Sequence, residues 1–175
     1  MQTFRRRVLC AFVHACICAF GVNIASAETI DRVLAVAAKQ MITLSDVIAA
    51  RDLRLQAADG GGDPIRAILT KLIERELVLA EVDRYAPPEP PADAIDREVQ
   101  RVRARFASQE AFDAALARSG IDDKHLRETA RQDLRIRAYL DQRFTATERR
   151  EALIAEWMAG LRRRGDVIDL YLPER

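Results

Sequence analysis

Apolar and polar residues recur with two different periods along this chain, a short one near its ends and a helical one between them. From Ile30 to Thr43 the apolar residues crowd at short period around Ala38-Lys39-Gln40, which predicts two short strands joined by a turn. Thr43 followed three residues later by Asp46 resembles a capping box with Asp in place of Glu, and it starts a helix through Val47, Ile48 and Leu55. Asp63 and Pro64 then form a second helix start, since the missing N–H of proline costs nothing at the first helical position. Behind it Ile65, Ile68, Leu69, Leu72, Ile73 and Leu77 recur at helical spacing, and Val78, Leu79 and Val82 widen the apolar arc. This is the expected central buried helix.

Further on, Ile95, Val99, Val102 and Phe106 draw one narrow helical stripe. Ser108 caps a short helix carrying Phe112, Ala115 and Leu116, which Gly120 ends in a left-handed turn. Asp122 opens a long helix with two apolar rows, one of Leu126, Ala130, Leu134 and Ala138, the other of Ile136, Leu140 and Phe144. A capping box at Thr145 and Glu148 is expected to start the last helix, which carries Leu153, Ile154, Trp157, Met158 and Leu161 up to Gly165. From Val167 to Leu172 the period drops to two, predicting a strand with Ile168, Leu170 and Leu172 buried and Val167, Asp169 and Tyr171 outward.

Strands at the two ends with helices between them must close on each other, because a lone strand leaves its backbone groups unpaired. The expected fold class is therefore mainly α: about six helices, with a small three-stranded sheet formed by the N-terminal hairpin and the C-terminal strand. Asp59-Gly60-Gly61-Gly62-Asp63 and Ala86-Pro87-Pro88-Glu89-Pro90-Pro91 lie between helical patterns and read as connectors within one domain, residues 28–175.

The N-terminus has a different character. Arg5, Arg6 and Arg7 precede an apolar run from Val8 to Ile24, closed by Ala25-Ser26-Ala27. This pattern reads as a secretory signal peptide, residues 1–27, cleaved between Ala27 and Glu28 and implying a periplasmic location. Cys10, Cys16 and Cys18 all lie inside it, so the expected mature part has no thiol for a disulfide, a metal or a substrate. The chain has 28 basic and 27 acidic residues, and cleavage removes three of the former, leaving a net charge of −2. That balance gives no electrostatic case for nucleic acid, or for a membrane surface after cleavage.

Candidate chemistry is sparse. His125 falls in the first turn of the long helix without a serine or cysteine partner of evident spacing, and reads as an exposed helix residue. Asp122 and Asp123 fit capping better than a cation site. Gly60-Gly61-Gly62 lacks the Lys-Ser/Thr of a phosphate loop. Acids interleave the arginine runs, which read as solvated helix faces, and Trp157 has the spacing of a core residue. No cofactor, metal or enzymatic activity is expected.

The order of Ile30-Asp31-Arg32-Val33-Leu34-Ala35-Val36, Met41 to Val47, and Leu72-Ile73-Glu74-Arg75-Glu76-Leu77 resembles the N-terminal module of SurA-type periplasmic chaperones. The similarity continues through Ser108 to Phe112, Leu116, Ser119-Gly120-Ile121 and Leu126-Arg127, and reaches the returning helix and strand at Trp157, Leu161, Arg162 and Val167. In that family prolyl isomerase domains sit between the long helix and the returning helix. Here Phe144 is followed almost at once by Thr145 to Glu148, which leaves no room for one. The resemblance thus implies an ATP-independent chaperone for unfolded polypeptides, with outer-membrane proteins among its clients and without isomerase activity. Phe106, Phe112, Tyr139 and Phe144, the large aromatics on helices that would flank a cradle, are the candidate client-binding residues, with a core position as the alternative reading for each. A rival reading is an adaptor or homodimer that docks one folded partner through the same surface.

Overall fold

The computed structural model describes residues 31–58, 62–145 and 148–173. The signal-peptide reading and its cleavage site, Ala27 and Glu28, lie outside the described residues. Two strands, β1 (Val33–Ala37) and β2 (Gln40–Thr43), form an antiparallel hairpin. Its two turn residues, Ala38 and Lys39, both have positive φ, 50° and 69°. That is the turn hand that matches strand twist, adopted here without glycine. In β1 the register shifts between Val33 and Ala35, so one extra residue stands against β2. Such a bulge turns two consecutive side chains inward, and Leu34 and Ala35 are both buried.

Helix α1 (Leu44–Asp52) begins at the expected reciprocal box: the Asp46 backbone N–H donates to Thr43 Oγ1, and the Thr43 N–H donates to Asp46 Oδ2 at 2.8 Å. Helix α2 (Pro64–Tyr85) begins at Asp63, whose carboxylate accepts from the N–H groups of Ile65 and Arg66, and it ends at Ala86 in the left-handed region before the prolines. Helix α3 (Ala92–Arg103) stops before Phe106. Helix α4 (Gln109–Ser119) is capped by Ser108 and ended by Gly120 at φ 71°, and α5 (Asp123–Arg143) is capped by Asp122. All four side-chain caps match the sequence expectation, because a cap is local chemistry between neighbours.

Helix α6 (Arg150–Arg164) departs from it. It starts at Arg149 with no side-chain cap, so the Thr145–Glu148 box does not form its N-terminus. Instead the Arg150 side chain reaches back, Nε donating to the Phe144 carbonyl at 3.1 Å and Nη2 to Asp141, and ties the new helix to the end of α5. At its other end a Cβ added to Gly165 would stand 2.6 Å from Leu77 Cδ2, so glycine lets the chain pass close to α2.

Strand β3 (Val167–Asp169) returns antiparallel to β1, giving a three-stranded sheet of order β2-β1-β3. Among the described residues the fold is mainly helical with this one small sheet. Leu34, Ala35, Ala37 and Ile42 pack on Val47, Ile68 and Leu69 beneath the sheet. A second apolar cluster joins Leu53, Val99, Val102, Phe112 and Leu126, and a third joins Leu77, Val78 and Val82 to Tyr139 and Leu161, with half-buried Trp157 packed against it.

Candidate polypeptide-binding surface

The four expected aromatics divide into two packed groups. Phe112 is only 1% exposed and meets Phe106 edge-on at 5.5 Å, while the Arg54 guanidinium lies 5.0 Å over the Phe106 ring. Tyr139 is 4% exposed, between Tyr85 at 5.5 Å and Trp157 at 5.9 Å. Phe144 packs on Trp157 at 5.6 Å, and Arg143 stacks over Tyr139, Phe144 and Trp157. Phe112 and Tyr139 therefore belong to the core and present no client surface, because the apolar stripes of α4 and α5 turn them against neighbouring helices. Phe106 and Phe144 are half-buried, with their outer sides partly covered by arginine. His125 is exposed in the first turn of α5.

The exposed apolar side chains lie elsewhere. Met41 is 68% exposed, Ile168 53%, Leu170 52% and Leu172 80%. The register sets Met41 opposite Val36 and Val36 opposite Ile168, so these three form one row across the outer face of the sheet. Leu170 follows on the same face of the returning chain, its N–H bonded to the Leu34 carbonyl at 2.9 Å.

This reverses the expected facing of the last strand. Val167 and Tyr171 turn inward, where Val167 packs against the first and third clusters and Tyr171 against the first. The reason is what awaits them at the start of α2. The Tyr171 hydroxyl donates to Asp63, and Arg66 pairs with Asp169 and lies over the Tyr171 ring. Half-buried Tyr171 thus finds a partner for its hydroxyl, so burying it costs little, while Asp169 pairs with Arg66 and stays exposed. Tyr171 and then the Arg66 N–H hold the Asp63 carboxyl below its ordinary range. Alternation alone could not show this, since either row contains apolar residues.

Both outer strands also have an unpaired side. Ala38 N–H donates to the Asp166 carbonyl and Leu170 N–H to that of Leu34, so Asp166, Ile168 and Leu170 direct their backbone groups to β1. Val167 and Asp169 direct theirs away, and by the same alternation Met41 of β2 does too. No further strand pairs with either side among the described residues. Within the same residues, no group of three or more His, Cys, Asp or Glu side chains is arranged to hold a metal, and no helix is long and apolar enough to cross a membrane. An arrangement of this kind can accept an extended backbone by main-chain hydrogen bonds while apolar side chains cover it from one face. Comparison with known protein families and with curated protein sequences finds no match to this chain.

Proposed function

We propose that this domain binds unfolded polypeptides as a periplasmic, ATP-independent chaperone without isomerase activity, outer-membrane proteins being its clients. The observation that carries the reading is the outer face of the sheet, where exposed Met41, Ile168 and Leu170 flank half-buried Val36 in an apolar row beside strands with a free side, with exposed Leu172 just beyond. An extended client adds as a strand, and its backbone supplies hydrogen bonds that do not depend on sequence. The motif order shared with SurA-type chaperones supports the same reading. Ordering a disordered client costs an estimated 2–5 kcal/mol or more, so affinities are micromolar rather than nanomolar.

The test is aggregation of an unfolded outer-membrane β-barrel protein in the presence of the domain, with a folded protein as binding control. Suppression at a few-fold molar excess, and no binding to the folded control, is the expected result. Failure to slow aggregation, or equal binding to the folded protein, rejects it. A domain that instead self-associates through this sheet will sediment as a dimer and compete with client.

A further inference from the structure

A cavity of about 230 Å³ lies between β2, α1, α2 and α5. Its size selects among occupants. An engineered cavity of about 150 Å³ holds benzene, and drug-sized ligands need about 300 Å³ or more. This one suits a single long side chain.

Its walls are of two kinds. Ile42, Ala50, Leu55 and Leu72 form an apolar side, and Arg75, Glu76 and Asp133 a charged one. Arg75 is mostly buried and serves both acids: Nε donates to Asp133 at 3.0 Å, Nη1 to Glu76 at 3.1 Å and Nη2 to Gln132 at 2.8 Å. One guanidinium of the lining thus faces two carboxylates; Arg137 attracts Asp133 from outside the lining, but Asp46 and Asp83 repel Glu76 and Glu98 repels Asp133, so acids outnumber cations around the pair. Burial pushes both carboxyls above their ordinary range, and Arg75 offsets this only in part. Of the other acids of the lining, Glu128 is paired with Arg131, while Asp46 accepts only the neutral donors of the Thr43 cap and adds to the negative charge near Glu76. A second cation would balance the pair. An anion would worsen the imbalance, and a neutral group would leave it.

The mouth has a position that matters. Gln40, Met41 and Ile42 of β2 line the cavity, and Met41 directs its backbone to the free side of that strand. A strand added there alternates its side chains between two faces, so those on the inner face descend toward the cavity.

We infer that this cavity takes the side chain of a lysine or arginine from the bound polypeptide, its methylenes on the apolar wall and its cationic head between Glu76 and Asp133. The inference deepens the polypeptide-binding reading and rests on it, so the experiment separates the two. Two extended peptides, identical except for a central lysine or its uncharged isostere norleucine, are titrated against the domain by fluorescence anisotropy. The lysine peptide is expected to bind about tenfold more tightly, the size of one charge-assisted hydrogen bond. Glu76→Gln should erase the difference. Asp133→Asn serves the same purpose if Glu76→Gln melts early. Equal affinities for the two peptides overturn the cavity assignment and leave strand binding intact. If neither peptide binds, the function proposed above falls, and butylammonium then decides the cavity alone. Saturable amide NMR shifts at Thr129 and Gln132 that vanish in Glu76→Gln support it, and their absence overturns it.

Discussion

The two faces of the three-stranded sheet differ less in composition than in what stands opposite them. The inner face presents Ala35, Ala37, Ile42 and Val167, with Tyr171 just beyond, to Ile65, Ile68, Leu69 and Leu72 of α2. The outer face presents Met41, Val36, Ile168 and Leu170, with Leu172 just beyond, which are larger on average, and most of them are half exposed or more. Hydrophobicity by itself would bury the second set. Burial instead went to Val167 and Tyr171, whose hydroxyl meets Asp63, while Asp169 between them pairs with Arg66 and stays exposed. The apolar row left outside is then a surface with a cost, of the kind that marks interaction sites.

The strongest test of this comparison removes an inner contact. Leu69 is fully buried beneath the sheet, and Leu69→Ala should lower the unfolding free energy by about 2–5 kcal/mol through lost burial and the cavity left behind. Urea denaturation followed by circular dichroism measures it. A loss no larger than about 0.5 kcal/mol, the size of a surface change, would mean that the sheet does not lie on α2.

What the sequence made legible follows the same division between local and distant partners. The caps at Thr43, Asp63, Ser108 and Asp122 and the stop at Gly120 were readable because each is settled within four residues. The central helix and the three-stranded sheet followed from periodicity and from the need to pair the terminal strand. The facing of β3 was not readable, since its deciding partner Asp63 lies 108 residues from Tyr171. Nor was the start of α6, where the reach of Arg150 to Phe144 and Asp141 replaces a side-chain cap. The candidate surface shared this fate: Phe112 and Tyr139 sit on stripes that periodicity marks as apolar, but only packing tells which members of a stripe meet a neighbour. The sharing of Arg75 between Glu76 and Asp133 leaves no pattern in the sequence at all, because α2 and α5 are joined through three intervening connections.

A smaller effect sharpens the polar side of the inner row. Tyr171→Phe removes the hydroxyl that Asp63 accepts and should destabilise the domain less than Leu69→Ala does. The pH dependence has a definite sign. The depressed folded pKa of Asp63 contributes stability that is fully present above its unfolded value, about 3.9, and is lost as pH falls through the folded value. With the hydroxyl gone the depression shrinks, so the deficit of the variant should be present at neutral pH and fade as the carboxyl is protonated. Urea midpoints at both pH values check this. A deficit that persists unchanged in acid would place the role of Tyr171 in its ring rather than in its hydroxyl.

The smallest expected change in stability comes from the outer face, and it is the most informative for function. Ile168 and Leu170 direct their side chains away from α2, so Ile168→Ser with Leu170→Ser removes little buried area and should alter stability by no more than about 0.5 kcal/mol per site. The backbone pairing of β3 with β1 is untouched by either substitution, since it runs through main-chain groups. If the outer row is where a client chain lies, the same double variant should lose suppression of aggregation while melting like the parent. The two readouts separate the faces: a variant that melts early assigns these residues to the core after all, and one that melts normally and still protects its client removes the outer face from the binding surface. A control on the same face refines the result, because Met41→Ser lies on the opposite outer strand. Equal loss from Met41→Ser and from the Ile168 and Leu170 pair would indicate a client that spans the whole row, whereas loss from one alone would identify the strand beside which it lies.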